Sequence, residues 1–560
     1  MKIPTLASLI ALAEILVLAA CQSPEPRLNA SQQAIIVELF VIDPLRDPRT
    51  AATPVIDVHT HTFNARYLPL QGIVLGKRDA FPLVTGFVSD DCARLIAQAF
   101  IDRTELAAIP GQRGVARKLD TREIRAAGHP GPVCRVFLDL IDKAIARGAW
   151  DPGRPMIEKM AIIDKLSGEM NLLERLAVRA AANMMGMQDH IGPGKATADT
   201  LTGMQAAVRF LWTITQNDAH MAQLFRDMHA GAHMKGSLTM VSHMMDLGPV
   251  YAQSADGSAM LDFERQQVAR MEYFQRQPGS GLLYFVAYNP YRDHLQNGGS
   301  SAALDLVRDA ITKHGAKGVK VYPPSGYRPA GNDIASRPNP IGTRLPGRQW
   351  DARYGQFGAT IAEKNKALDA ELNTLLEWCI AKDVPVFAHS GYGEFEARKG
   401  YGERDSDPAF WGKFLESHST PGHPCKLRLC LGHAGGEDFW FGTGKHADWG
   451  RRAFELCTRY PNVYCEITTG DPMMDEKKQA FFVDRIATLF AESAESAAHP
   501  FSKKLMYGTD WYLPDKGKPH AVLLAAQKIF LHSRLRDHYA DYFSGNARRY
   551  LKLNAATKRD

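Results

Sequence analysis

Four short apolar runs in this chain each lead into a histidine or an aspartate. PVIDVHTH carries His59 and His61, VFAHSG carries His389, LCLGHAGG carries His433 and LMYGTDW carries Asp510. Side chains alternate along a strand, so His59 and His61, two apart, point the same way and can share one metal ion. A His-x-His on its own is weak evidence in a chain with 19 His. The other three endings, in order and each on an expected strand, make the signal strong. Neutral imidazole and carboxylate suit Zn²⁺ and related divalent ions. Such an ion with one open position lowers the pKa of bound water, to about 7 in the best-tuned zinc sites.

Positioning these groups takes a set of strands. The sequence predicts strands at 54–60, 237–243, 282–288, 317–322, 384–389, 427–432, 462–467 and 503–508. Helical stretches such as ALDAELNTLLEWCIAKD lie between them. Strand–helix alternation argues for a parallel sheet, and eight units argue for closure into a barrel. Active residues of such barrels sit at the C-terminal ends of the strands, where these His and Asp residues fall. After strand 1 the rhythm stops. Residues 66–234 read as helices, with apolar residues at helical spacing such as Phe137, Ile141 and Ile145. The expected fold is therefore α/β, a distorted (β/α)8 TIM barrel with a large α-helical insertion after strand 1. The expected boundaries are a signal at 1–21, a lead-in at 22–53, strand 1 at 54–65, the insertion at 66–234 and the rest of the barrel at 235–560. The lead-in holds an apolar run, 34–42, expected to pack on the barrel. A second insertion, 323–358, is too rich in Pro and Gly for regular structure, and a loop of that length is usually a lid or disordered. The helical insertion leaves the barrel right after His59 and His61, so both insertions are expected to roof the pocket as a cap.

The ordered endings resemble the amidohydrolase superfamily, specifically its amidohydrolase-related branch that includes aminocarboxymuconate semialdehyde decarboxylase. That family closes strand 1 with His-x-His, strands 5 and 6 with a His each and strand 8 with an Asp. The C-terminal FSGNARRYLKL, with Asn546, looks like the closing helix of the branch. The resemblance covers about residues 54–65 and 235–553. It implies His59, His61, His389 and Asp510 as metal ligands, and one divalent ion, zinc foremost, as cofactor. Asp510 is expected both to touch the metal and to accept the water proton. His433 is expected as the acid/base, the non-ligand role its counterpart plays in the decarboxylase branch. In binuclear relatives that His binds a second metal, and a carboxylated Lys on strand 4 bridges the two.

Lys320 on strand 4 is open to three readings: a bridge, a substrate contact or a structural residue. His243 and Asp246, just after strand 2, are expected near the mouth, His243 as a substrate contact. Arg292 follows strand 3. The strand 4 loop carries Arg328, Arg337, Arg344, Arg348 and Arg353 against Asp333 and Asp351. Arginine forks suit carboxylates, so an anionic substrate is expected, with Arg292 and Arg328 as candidate contacts. Trp511 and Tyr512 can stack on a substrate ring or wall the pocket. His229 and His233 stand i, i+4 on a predicted helix without the Glu of a His-Glu-x-x-His motif, and read as helix surface.

Composition sets the broader frame. Hydrophobic content of 45% and charged content of 23% fit a globular protein with a large core. The formal charge of +6 is modest and its basic residues are dispersed, so no nucleic-acid partner is expected. Lys2 and the apolar stretch Leu6 to Ala20 read as a signal segment too short to span a bilayer. It ends Leu18-Ala19-Ala20-Cys21, which looks like the lipobox of a bacterial lipoprotein, although Glu14 is unusual inside such a stretch. The expectation is an envelope protein, periplasmic or outer-membrane, touching the membrane only through an N-terminal lipid anchor. Seven further Cys, at 92, 134, 379, 425, 430, 457 and 465, form no Cys-x-x-Cys and read as buried thiols. The partner expected is a small-molecule substrate, and an oligomer is compatible.

These residues point to a metal-dependent hydrolase in which activated water attacks an amide, lactone or ester bond. Two alternatives stand beside it: non-oxidative decarboxylation of an unsaturated or aromatic acid, and a catalytically silent lipid-anchored binding protein. Fold resemblance names no substrate.

Overall fold

Eight short, mostly apolar segments form one parallel sheet in sequence order: β1 Val55–Thr60, β2 Leu238–His243, β3 Leu282–Tyr288, β4 Gly318–Val321, β5 Val386–His389, β6 Leu429–Gly432, β7 Val463–Thr468 and β8 Leu505–Gly508. Every observed boundary lies within two residues of the predicted one. The computed structural model describes residues 28–62, 64–67, 70, 90–104, 132–151, 153–175, 177–178, 208–230, 238–248, 258–295, 302–332, 361–392, 396, 400–442, 444, 446–468, 471–511 and 519–553. The signal segment, Tyr512, His233 and Arg337, Arg344, Arg348 and Arg353 lie outside the described residues.

The sheet closes on itself as a TIM barrel. The chain after β8 pairs with the end of β1 through a parallel bridge between Thr60 and Trp511. Asp510 N donates to the His59 carbonyl at 2.7 Å, and His61 N donates to the Trp511 carbonyl at 2.6 Å. The barrel is thus sealed by the backbone of three expected ligands. Its interior is packed rather than hollow, with Val58, Val241, Phe285, Phe387, Tyr464 and Met506 pointing inward. Helices flank the sheet: α1 Ala30–Val41, α2 Asp90–Arg103, α3 Pro132–Ala146, α4 Met156–Glu169, α5 Asp218–Ala230, α6 Ser258–Gln275, α7 Ala302–Thr312, α8 Ile361–Lys382, α9 Ala447–Arg459, α10 Glu476–Ser496, α11 Pro519–Leu531 and α12 Asn546–Leu551. Helix α12 plugs the barrel floor. Tyr550 stacks on Phe285 and donates to the Val386 carbonyl, and Asn546 donates to the carbonyls of Ser502 and Leu505. No described helix is long and apolar enough to cross a membrane.

The lead-in run 34–42 falls largely on α1. Asn29 and Gln32 form a capping box at its start. Gln32, Ile35 and Leu39 are buried, and α1 packs against α10. Helices α2 to α5 lie within the predicted insertion. Its internal packing is apolar, as in the edge-on contact of Phe100 and Phe137 at 5.6 Å. Helix α5 ties the insertion to the barrel through a buried ion pair, Arg270–Asp218 at 2.7 Å. Its Phe225 packs against Trp511 with ring centroids 5.1 Å apart. An insertion side chain therefore reaches the residue next to Asp510.

His229 does not lie on a helix surface. It is buried on α5, where its Nδ1 donates to the Phe225 carbonyl at 2.7 Å. Helix α5 turns this face toward Trp511 and α11, which no local spacing reveals. Burial pushes its pKa down from 6.5 to about 4. Between those values the unfolded chain takes up a proton and the folded state does not. Stability is thus held above the window and lost as pH falls through it, by up to about 3 kcal/mol. His229→Phe is expected to lose less stability than the parent protein between pH 7 and pH 5 in denaturant unfolding. Equal losses would show that His229 does not titrate in this way.

Candidate metal centre

Strand β1 is bulged where the site begins. Val55, Ile56 and Asp57 pair with Leu238, Thr239 and Met240, but Thr60 then pairs with Ser242, so β1 carries one extra residue. Such a bulge re-aims side chains. Ile56 and Val58 point into the barrel core, and His59 still reaches the interior, 4.6 Å from the Phe387 ring. His243 holds the bulge by donating from Nε2 to the Val58 carbonyl at 2.7 Å. Asp57 ties β1 to β8, accepting from Thr509 Oγ1 at 2.6 Å and from the backbone N of Thr509 and His59 at 3.1 Å. Burial, opposed by those donors, pushes its pKa up to about 7.

The imidazole tautomers follow from their partners. His59 Nδ1 donates to Glu466 Oε1 at 2.7 Å, and His61 Nδ1 donates to the His243 carbonyl at 2.9 Å. Each ring then presents an Nε2 lone pair. These nitrogens lie 3.3 and 3.1 Å from Asp510 Oδ1. Two imidazole nitrogens and a carboxylate oxygen thus converge, a donor set that suits a divalent cation. All three ligand atoms fall within 4.8 Å of one another. His389, buried on β5, bonds the Gly391 backbone and leaves its buried Nε2 without a hydrogen-bond partner. Its ring lies 4.4 Å from that of His433. Burial first, then neighbouring cationic groups, hold the His59 and His389 rings well below the usual histidine range. Neutral rings with one nitrogen committed and the other exposed to the site are what metal ligation needs. The residues present thus fit a divalent ion held by His59, His61 and Asp510, with His389 adjoining from β5.

Glu466 is the site residue that sequence reading missed. Its one signal was a carboxylate within a strand, VYCEIT, that is buried along its whole length. It orients two groups at once, accepting from His59 Nδ1 and, at 2.9 Å, from the backbone N of His433. Gly508 makes room for it: a Cβ there would sit 2.6 Å from Glu466 Oε2. A second set of ligand-type atoms, from His59, His433 and Glu466, also lies within 4.8 Å. There the His59–Glu466 contact is a short hydrogen bond, so we read that set as support for the first. Glu466→Gln is expected to weaken metal affinity by about 10–100-fold, the usual effect of losing a ligand's hydrogen-bonded carboxylate. Metal titration by calorimetry checks this, and an unchanged affinity would remove Glu466 from the site.

His433 follows β6 with a left-handed backbone, φ 63°, as does Asp510 at φ 54°. Non-glycine residues in this region are strained and cluster at functional sites. The His433 ring is fixed by Thr468, whose hydroxyl lies 2.6 Å from Nδ1. Of the five expected substrate contacts, Lys320 is the one whose side-chain nitrogen reaches a ligand atom, 3.4 Å from His59 Nε2. It also lies over the Phe387 ring at 4.4 Å. His243 serves the bulge. Arg292 is buried in ion pairs with Asp246 and Glu264, and Arg328 pairs with Asp405 at 3.0 Å. Trp511 is buried against Phe225 and closes the barrel.

A closed barrel with His59, His61 and Asp510 gathered at the C-terminal ends of its strands defines a barrel with a candidate metal site. Residues 298–553 match the family model described as amidohydrolase. This match to the C-terminal part of the chain agrees with the resemblance to the amidohydrolase-related branch. No curated protein matches the chain significantly. Among solved structures it is similar to 2,6-dihydroxybenzoate decarboxylase from Rhizobium, at 15% identity over 60% of this chain and 88% of that one, TM-score 0.35. It is similar to a probable 2-pyrone-4,6-dicarboxylic acid hydrolase from Acinetobacter baumannii, at 11% identity over 59% and 89%, TM-score 0.31. An amidohydrolase from Burkholderia multivorans gives 13% identity over 59% and 88%, TM-score 0.34. At such scores these likenesses say nothing of reaction or substrate.

Proposed function

We propose that the barrel mouth is the active site of a metal-dependent hydrolase that cleaves an amide, lactone or ester bond of a small anionic molecule. The observation that carries this reading is the convergence of the His59 and His61 Nε2 atoms on Asp510 Oδ1. A divalent ion bound by His59, His61 and Asp510 with His389, zinc foremost, would supply a Lewis acid and acidify water near neutral pH. Every other task falls to the chain. Asp510, fixed by its backbone bond to His59, accepts the proton released as water attacks. His433, its ring set by Thr468, delivers a proton to the departing oxygen or nitrogen. Lys320 brings positive charge to the ligands and supports binding of an anionic oxygen. Phe225 and Trp511 keep water from one side of the mouth.

The test is a screen of lactones, amides and esters with an anionic group, alongside aromatic and unsaturated acids. Uptake of oxygen from labelled water into the product supports hydrolysis. Release of carbon dioxide without it would replace this reading with decarboxylation on the same residues.

A further inference from the structure

From Ala34 onward helix α1 is apolar on every side, with Glu38 its one charged residue. An amphipathic helix on a protein surface keeps its outer face polar, whereas one that is apolar all round is covered on both sides. Its inner face meets α10 through Ile35 and Leu39. Glu38 is spent on that attachment too, accepting from Ser533 N and Oγ at 2.6 and 2.8 Å. The outer face is uncovered: Val37 is 69% exposed, Phe40 80% and Val41 75%, with Leu45 at 45% just beyond. Gln33 and Ala34 extend the face without adding charge. The adjoining cations Arg46 and Arg49 pair with Asp43 and Asp47, so its edge carries no net positive charge.

What lies upstream indicates the occupant. Eight residues, 21–28, separate the apolar stretch Leu6 to Ala20 from Asn29, the cap of α1. Eight residues reach at most about 28 Å when extended. Whether that stretch stays in lipid or gives way to a lipid on Cys21, α1 is held within about that distance of the bilayer. We propose that the Val37–Phe40–Val41 face of α1 lies in the membrane interface and docks the barrel flat on the lipid surface. The proposal rests on the N-terminal segment reaching lipid. The contact is made by apolar burial, so raising salt does not release it.

The experiment uses the full chain on phosphatidylcholine vesicles with brominated acyl chains, which quench nearby indoles. Phe40→Trp adds one reporter on α1, and Leu172→Trp adds a control at another exposed site on the insertion, 70% exposed in the parent. The emission added by Phe40→Trp is expected to be lost on these vesicles, at low and high salt alike. That added by Leu172→Trp is expected to persist. If the chain floats with the vesicles but the Phe40→Trp emission is untouched, docking by α1 is overturned while the N-terminal anchor stands. If the chain does not float, the anchor reading falls and the proposal with it. If the Phe40→Trp emission is shielded only in a dimer that forms without lipid, the face belongs to a second copy and the proposal is overturned.

Discussion

Replacing His59 and His61 together with alanine is expected to empty the site of metal and reduce turnover to background. Both rings commit Nδ1 to a neighbour, and both aim Nε2 at Asp510. Without them Asp510 cannot hold a divalent ion tightly, since one carboxylate and an adjoining imidazole give too few donors for a zinc site. The variant also removes the His59 donor from Glu466 Oε1, which keeps the backbone N of His433, so the fold loses a single hydrogen bond there, about 1.5–3 kcal/mol for one to a charged group. Circular dichroism separates loss of the site from loss of the fold. A folded double variant with full metal content would refute the ligand assignment.

His433→Ala is expected to keep the metal and lose turnover by about 10²–10⁴-fold, the usual effect of removing a general acid or base. It stands outside the His59, His61 and Asp510 set of converging ligand atoms. Its Nδ1 meets the Thr468 hydroxyl, and its backbone, rather than its ring, meets Glu466. The ring can therefore be removed while the Glu466–His59 bond remains. Thr468→Val is expected to show a smaller loss in kcat with little change in metal content, since it frees the ring to rotate. If metal and activity vanish together in His433→Ala, the residue is a ligand and the acid/base role is wrong.

The barrel was legible because four strands lead into a local signal and strand–helix alternation marks the others. An apolar run that stops at His or Asp marks the strand, its C-terminal end and a site residue in a few letters. What stayed hidden depends on partners distant in sequence. Arg292 reads as an anion receptor until Asp246 and Glu264 are seen to hold it. Arg328 reads likewise until Asp405 closes on it. His243 looked like a substrate contact because its role depends on an extra residue in β1, and a bulge leaves no trace in the alternation of VIDVHT. Glu466 sat in plain view in an apolar strand, yet its meaning required His59, 407 residues away. His229 carried the right spacing for a polar helix face and was buried by the docking of α5. Helix α1 shows the same limit from the other side: its apolar run predicted packing, and only the fold shows that one face is left over.

Metal analysis of the purified full-length protein, by mass spectrometry with X-ray absorption on the bound ion, tests the site most directly. The expected result is about one divalent ion per chain in a shell dominated by imidazole nitrogen with carboxylate oxygen, zinc foremost. A fully active protein free of divalent metal would contradict it, and so would an ion bound through sulfur.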